Sequence, residues 1–193
     1  MRIVDICSIP KSTSNYITFL RNIFLDFRGF LISRHFQFPS EMNLRQINKN
    51  DLKVIQKIYQ TAFGESPGIS FRLYMKLFQR ICYVYETNGC ILGYLNTYIR
   101  PYSLNGKKII WMCESSVAVS PSSRGMGIAF LMLSENNKIA KLNNIYCIYA
   151  DVREDNPASL SLHKKCGFQL KGPYPHHYKD GSSGYVAINL LDW

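Results

Sequence analysis

The segment Val117–Ala129 constrains the fold most, because it predicts a strand, a sharp loop and the start of a long helix in immediate succession. The β-branched run ends at Val119, and a proline followed by two serines interrupts it. Gly125 and Gly127 then leave backbone N–H groups unshielded at a helix N terminus, where the helix dipole is positive. We therefore predict an anion site there, most naturally for a phosphate or pyrophosphate, with the Arg124 guanidinium as a further ligand.

The composition is that of one globular domain. The chain has 193 residues, of which 47% are hydrophobic and 19% charged, enough apolar surface for a core. The net charge of +10 favours an acidic partner such as CoA phosphates, a nucleotide-sugar, nucleic acid or a membrane surface. The basic residues form no dense block, which makes nucleic acid an unlikely partner. Six scattered cysteines without zinc spacing predict reduced thiols, and the lack of a signal or transmembrane pattern predicts a cytoplasmic protein.

Residues 1–40 are predicted to form an N-terminal extension to a domain that spans 41–193. Its apolar residues recur at helical spacing with arginines between them, and so predict an amphipathic helix: Ile17, Leu20, Phe24, Phe27 and Leu31. A basic, aromatic-rich helix can lie on a membrane or bind nucleic acid. The simpler interpretation is a helix whose apolar face packs on its own domain, or a dimer contact, so both a monomer and a homodimer fit the sequence.

The rest of the chain predicts the order β-α-α-β-β-β-α-β-α-β-β, an α+β fold with hairpins first and β-α-β units later. The first strand is predicted at 43–47. Asn88-Gly89 predicts a tight hairpin, since both residues accept positive φ. Residues 101–108 are predicted to be a polar loop before the strand that leads into Val117–Ala129.

Two motifs, in this order, resemble those of the GNAT acetyltransferases. Arg124-Gly125-Met126-Gly127-Ile128-Ala129 is similar to the family's Gln/Arg-x-x-Gly-x-Gly/Ala loop. The second motif, an Asn-x-x-Ala/Ser followed by a helix and a Gly-Phe pair, is matched by Asn156, Ser159, Leu162, Gly167 and Phe168. The resemblance, which includes the RimI-type members, covers about residues 43–191.

This resemblance implies a mixed central sheet of six to seven strands with about four flanking helices, and acetyl-CoA as co-substrate without a metal. It implies that the first motif holds the pyrophosphate and that Asn156 and Ser159 lie at the pantetheine arm. The backbone of Val117, Ala118 and Val119 would pair with the pantetheine amides and offer an N–H to the thioester oxygen.

Acetyl transfer to an amine needs a base for the amine and an acid for the leaving thiolate. The candidate bases are Glu114, on the strand before the first motif, and Asp151, which resembles by place the base of ribosomal-protein acetylases. Both residues also fit purely structural roles. The family often has a tyrosine as the acid where this chain has His163, and an imidazole can serve as an acid. Tyr178 or Tyr174 could replace it.

The acceptor is left open by the sequence. His176 and His177 lack a third metal ligand at suitable spacing and are predicted to line the acceptor pocket. The segment 178–181, Tyr-Lys-Asp-Gly, resembles a hairpin of N-terminal acetylases that holds peptides. The acceptor is therefore a protein N terminus or a small amine such as an amino-sugar, polyamine or antibiotic. The alternative function is a GNAT-like CoA-binding or regulatory module without turnover.

Overall fold

The computed structural model describes residues 15–178 and 180–191, and its strands form one seven-stranded sheet. The strands are β1 (Arg45–Gln46), β2 (Tyr83–Thr87), β3 (Cys90–Leu104), β4 (Lys107–Val119), β5 (Cys147–Arg153), β6 (Gln169–Tyr174) and β7 (Gly184–Leu190), in the spatial order β1-β2-β3-β4-β5-β7-β6. The helices are α1 (Asn15–Ser33), α2 (Leu52–Phe63), α3 (Ile69–Leu77), α4 (Ile128–Leu142) and α5 (Pro157–Lys165). The α+β class, the mixed sheet and the four helices after the extension are confirmed.

The sheet opens at its centre, between β4 and β5. These neighbours are parallel, and α4 forms the crossover between them. They pair only where residues 111–113 face residues 147–149. Beyond that point β4 continues to Val119 against β3, while β5 continues to Arg153 against β7. The C-terminal ends of two central strands therefore diverge and leave a cleft.

A β-bulge decides which backbone groups of β4 face this cleft. Thr97 of β3 pairs with Glu114 and Asn96 pairs with Ser116, so Ser115 is the extra residue. Before the bulge, the Ile110 carbonyl accepts from Tyr146 N and so points toward β5. After it, Ser120 N donates to Leu92 O on the β3 side. Because the direction alternates along a strand, the N–H and C=O groups of Val117 and Val119 point into the cleft.

Two local predictions were wrong. The first strand is only Arg45–Gln46, shorter than the predicted 43–47. The predicted polar loop at 101–108 is instead the end of a long β3–β4 hairpin, closed by Asn105 and Gly106 with φ values of 49° and 77°. This turn carries the same Asn-Gly signal as the first hairpin, and the polar residues around it alternate as in a strand with one solvent face.

Helix α1 is present, but the prediction that its apolar stripe packs on the domain was wrong. The buried residues are on the opposite side: Asp26 forms an ion pair with Arg100 on β3 and accepts from the Tyr74 hydroxyl of α3. Gly29 lies directly against the Ile99 carbonyl, on the stretch of β3 that extends beyond its pairing with β2. The helix thereby covers a strand edge that would otherwise be open. Residues 1–14 of the predicted extension lie outside the described residues.

Within the described part of the chain, no helix is both long enough and apolar enough to cross a bilayer.

Candidate active site

The glycine loop has the geometry of an anion site. Gly125 and Gly127 adopt φ values of +80° and +76°, which only glycine adopts without strain, and nothing lies within 4 Å of where a Cβ would stand. Gly127 is the N-cap of α4, and no side chain caps the first N–H groups of the helix. These donors face open space, which fits a pyrophosphate. Arg124 is exposed beside them, with Nε 3.4 Å from the Val119 carbonyl.

The cleft beside this loop fits the extended arm of CoA. On the cleft side of β4, the backbone groups of Val117 and Val119 have no strand partner, because β5 has already diverged. Amides of a pantetheine chain can pair with such an edge as an added strand does. Ala118, between them, directs its backbone groups toward Tyr94 of β3 instead. Of the next predicted residues, Met126 lies in the loop and is 68% exposed, whereas Ile128 and Ala129 form the first turn of α4, where Ile128 is buried.

The second motif begins α5. Asn156 Oδ1 accepts from Ser159 N at 3.0 Å, and Pro157 occupies the first turn, as predicted for a helix start. The Asn156 oxygen and the Ser159 backbone N–H thus bond to each other within the protein. The exposed amide of Asn156 stands on the segment that follows β5, at the C-terminal end where the cleft opens.

Glu114 and His163 meet in the core. Glu114 is 5% exposed and His163 is 2% exposed. Glu114 Oε1 accepts from Asn136 Nδ2 of α4 at 2.9 Å, and Glu114 Oε2 lies 3.4 Å from His163 Nε2. His163 Nδ1 is 2.8 Å from the Ser159 carbonyl. Both ring nitrogens thus face acceptors, so the geometry suits an imidazolium that donates from each nitrogen.

Burial alone would lower the pKa of His163, but the hydrogen bond and the charge of Glu114, with the Ser159 carbonyl, outweigh it and raise that pKa above its usual value. The resulting ion pair ties β4, at the residue next to the bulge, to both α4 and α5. It lies on the face of the sheet that α4 and α5 cover, and the carboxylate and the imidazole face each other there.

Asp151 lies on the opposite face of the sheet. Tyr149 and Asp151 are two residues apart on β5, so their side chains share one face of the sheet. The Tyr149 hydroxyl is 3.3 Å from that of Tyr98, whose ring packs against Tyr74 of α3, so this face is the one opposite α4 and α5. Asp151 is accessible, with half of its side chain exposed, and its Oδ1 is 2.8 Å from His177 Nε2. The two candidate carboxylates are therefore separated: Glu114 is sealed in the core, and Asp151 stands with an imidazole at an open surface.

Tyr178 borders the same surface. Its ring packs on Gly184 of β7, lies edge-on to His177 at 5.2 Å, and receives the Arg153 guanidinium at 4.7 Å. Burial, followed by the charge of Asp151, raises the pKa of Tyr178 to about 12. The phenol therefore stays protonated near neutral pH and can donate a proton. The Tyr178-to-Gly181 segment makes a tight turn through Gly181 N and the Tyr178 carbonyl; Lys179 within it lies outside the described residues.

Two partners were not predicted from the sequence. Asn136 carries no motif signal, because an asparagine on a helix is ordinarily exposed. His177 was predicted only as a lining residue, since its bond to Asp151 joins residues 26 positions apart. Among the described residues, no group of three histidine, cysteine or acidic side chains is placed to hold a metal ion.

Comparison with known proteins agrees with this geometry. Residues 52–168 match the acetyltransferase (GNAT) family model. The chain is 28% identical over 157 residues to an N-alpha-acetyltransferase of Sulfurisphaera tokodaii, covering 78% of this chain and 94% of that protein.

Two solved structures share the fold. Arabidopsis thaliana Naa50, in complex with the bisubstrate analogue CoA-Ac-MVNAL, superposes with a TM-score of 0.66, at 16% identity over 77% of this chain and 97% of that one. The ribosomal-protein-S18-alanine N-acetyltransferase of Escherichia coli gives 0.61, at 16% identity over 78% of this chain and 94% of that one. Together with the loop, the cleft and the family match, these likenesses show that the chain belongs to the GNAT acetyltransferase family and is an acetyl-CoA-dependent N-acetyltransferase.

Proposed function

We propose that this enzyme acetylates the α-amine of polypeptide N termini, with Asp151 and His177 as the base. The observation that carries the proposal is the 2.8 Å contact between these two side chains, with half of the Asp151 side chain exposed to solvent. The segment that borders them is exposed from Gly172 to His176, so a chain end can approach without being enclosed. The match to the N-alpha-acetyltransferase of Sulfurisphaera tokodaii covers 94% of that protein's length, which supports a similar acceptor.

The pKa of the acceptor amine also favours an α-amine. An α-amine has a pKa of about 7.7–8.0, whereas an alkyl amine such as lysine has a pKa of about 10.4. An α-ammonium group therefore holds its proton weakly near neutral pH, and a carboxylate–imidazole pair at an accessible surface can remove it. Such a pair is a poor match for an alkyl amine, whose neutral form is scarce at neutral pH.

The other residues bind, orient and donate. Acetyl-CoA, when bound, supplies an acetyl group activated as a thioester. The amides of residues 125–128 and the Arg124 guanidinium would hold its pyrophosphate, and the β4 edge at Val117 and Val119 would hold its arm. Tyr178 holds a proton for the departing thiolate. Glu114 and His163 act as positioning residues, since their ion pair fixes the strand that forms one wall of the cleft.

The experiment compares three acceptors with the full chain: a peptide with a free α-amine, the same peptide with a blocked N terminus and one lysine, and 2,4-diaminobutyrate. Release of CoA thiol is measured. We expect turnover with the first acceptor alone. Turnover with diaminobutyrate and none with the free peptide would refute the proposed acceptor.

The base is tested separately, on whichever acceptor is used. Asp151→Asn and His177→Gln should each lower kcat by about 100-fold or more. Glu154→Gln is the matched control, because Glu154 is an exposed carboxylate at the end of β5. If all three variants keep the wild-type kcat, the amine is deprotonated without this pair.

A further inference from the structure

Helix α1 presents an outward apolar face that the described part of the chain leaves exposed. The face comprises six large apolar side chains that are 42–59% exposed, and we call it the α1 outer face: Phe19, Leu20, Ile23, Phe24, Phe27 and Leu31. Helical spacing aligns these residues along the length of the helix. The inner side of α1 already packs on β3 through Asp26 and Gly29. The outer face therefore faces solvent in the folded protein, and a continuous patch of this kind marks an interaction surface.

The charges on this face have a single sign. Arg21, Arg28 and Arg34 are exposed among the apolar residues, and the Arg28 guanidinium stands 5.6 Å from the centre of the Phe24 ring. Asp26 is the one acidic residue between residues 15 and 40, and it is buried in its ion pair with Arg100. From Phe19 to Arg34, every exposed side chain is either apolar or arginine.

We infer that the α1 outer face docks on an anionic lipid surface. Phenylalanine and leucine side chains can enter the boundary between headgroups and acyl chains, while arginines reach the lipid phosphates. The protein-facing side of α1 would remain on β3, so the helix lies flat and carries the whole domain to the membrane. This inference uses no residue of the acetyl-transfer site and stands independently of the proposed acceptor.

The same charges disfavour the other occupants. A second copy would bring identical surfaces together, so that arginines would meet arginines with no acid on the face to pair them. Nucleic acid would pair with the arginines, and its bases can stack on phenylalanines, but it offers no partner for Leu20, Ile23 and Leu31. A lipid surface satisfies both parts at once.

The test measures flotation of the full chain with vesicles of phosphatidylcholine alone and of phosphatidylcholine mixed two to one with phosphatidylserine. We expect binding to the anionic vesicles, weakened by salt, and little binding to the neutral ones. Phe24→Ser/Phe27→Ser should weaken binding at least about tenfold through lost apolar insertion. Arg21→Glu/Arg28→Glu should weaken it about as much through lost attraction.

The matched control is Lys53→Glu/Lys57→Glu on α2, which changes the net charge equally at two exposed positions away from α1. It should keep binding within a few-fold of the wild type. All variants should keep the acetyl-transfer rate in solution, which verifies folding.

Three outcomes would overturn the inference. The first is no binding of the wild-type chain to anionic vesicles. The second is equal loss of binding in the α2 control, which would make the attraction a property of net charge. The third is a dimer, or a nucleic-acid complex, that Phe24→Ser/Phe27→Ser abolishes while vesicle binding persists.

Discussion

Removing His163 tests whether the ion pair beneath the cleft stabilises the fold. In the wild type, the imidazole of His163 packs edge-on against Phe168, with 5.1 Å between the ring centres. His163→Phe keeps a ring of similar size that can make the same contact. Glu114 is left almost fully buried with its Asn136 hydrogen bond but without its cation. Breaking a buried pair in this way costs about 3–5 kcal/mol. Because the His163–Glu114 separation is long, at 3.4 Å, we expect the lower end of that range, about 3 kcal/mol.

The second variant separates the lost pair from lost packing. In Glu114→Gln/His163→Phe, the glutamine oxygen can still accept from Asn136, and no uncompensated charge remains. More than half of the loss should be recovered, since neutral replacement of both partners of a buried pair is often well tolerated. If instead the double variant is as unstable as His163→Phe, the loss comes from packing and the ion-pair argument fails.

The pH dependence of the free energy of unfolding tests the same ion pair independently. The pKa of His163 is raised in the folded protein, so the folded state binds more protons than the unfolded state above about pH 6.5. The contribution of His163 to stability is therefore complete below about pH 6.5 and falls as pH rises through the raised pKa, by at most about 1.4 kcal/mol per unit. The assay is urea unfolding of wild type and His163→Phe from about pH 6 to about pH 9. The gap should narrow with rising pH. A gap below about 1 kcal/mol at the acidic end, or one that does not change with pH, would refute the reasoning.

Three further predictions concern the loop, the extension and the acid. Arg124→Ala should raise the KM for acetyl-CoA about tenfold with little change in kcat; an unchanged KM would contradict the phosphate role. Gly29→Ala should destabilise the protein by about 1–3 kcal/mol although alanine favours helices, because its Cβ would lie 1.8 Å from the Ile99 carbonyl oxygen. Thermal unfolding measures the change, with Arg28→Ala at an exposed position of the same helix as the control, and a stabilised Gly29→Ala would show that α1 does not rest on β3. Tyr178→Phe should keep the ring contacts and lower kcat at least about tenfold in steady-state assays, and wild-type turnover would remove the phenol from the reaction.

The sequence by itself determined the elements whose signals are local. The strand, loop and helix start around Gly125 and Gly127, the helix start at Asn156 and the hairpin at Asn88-Gly89 depend on near neighbours in the chain, and all are present as predicted. The order of strands and helices followed from these, and with it the class of fold. The same signal at Asn105-Gly106 shows that the hairpin end misread as a loop at 101–108 was also predictable from the sequence.

Only the tertiary structure decided which side chains meet. The bulge at Ser115 selects Val117 and Val119 as the residues whose backbone faces the cleft. Contacts with remote helices bury Glu114, and the β6–β7 connection places His177 on Asp151. For α1, periodicity showed an apolar stripe but not its direction. That direction was set by the buried Asp26–Arg100 pair and the close approach of Gly29, which depend on a strand far along the chain. Local patterns fix an element and its faces, whereas the packing of distant elements decides which face each one buries.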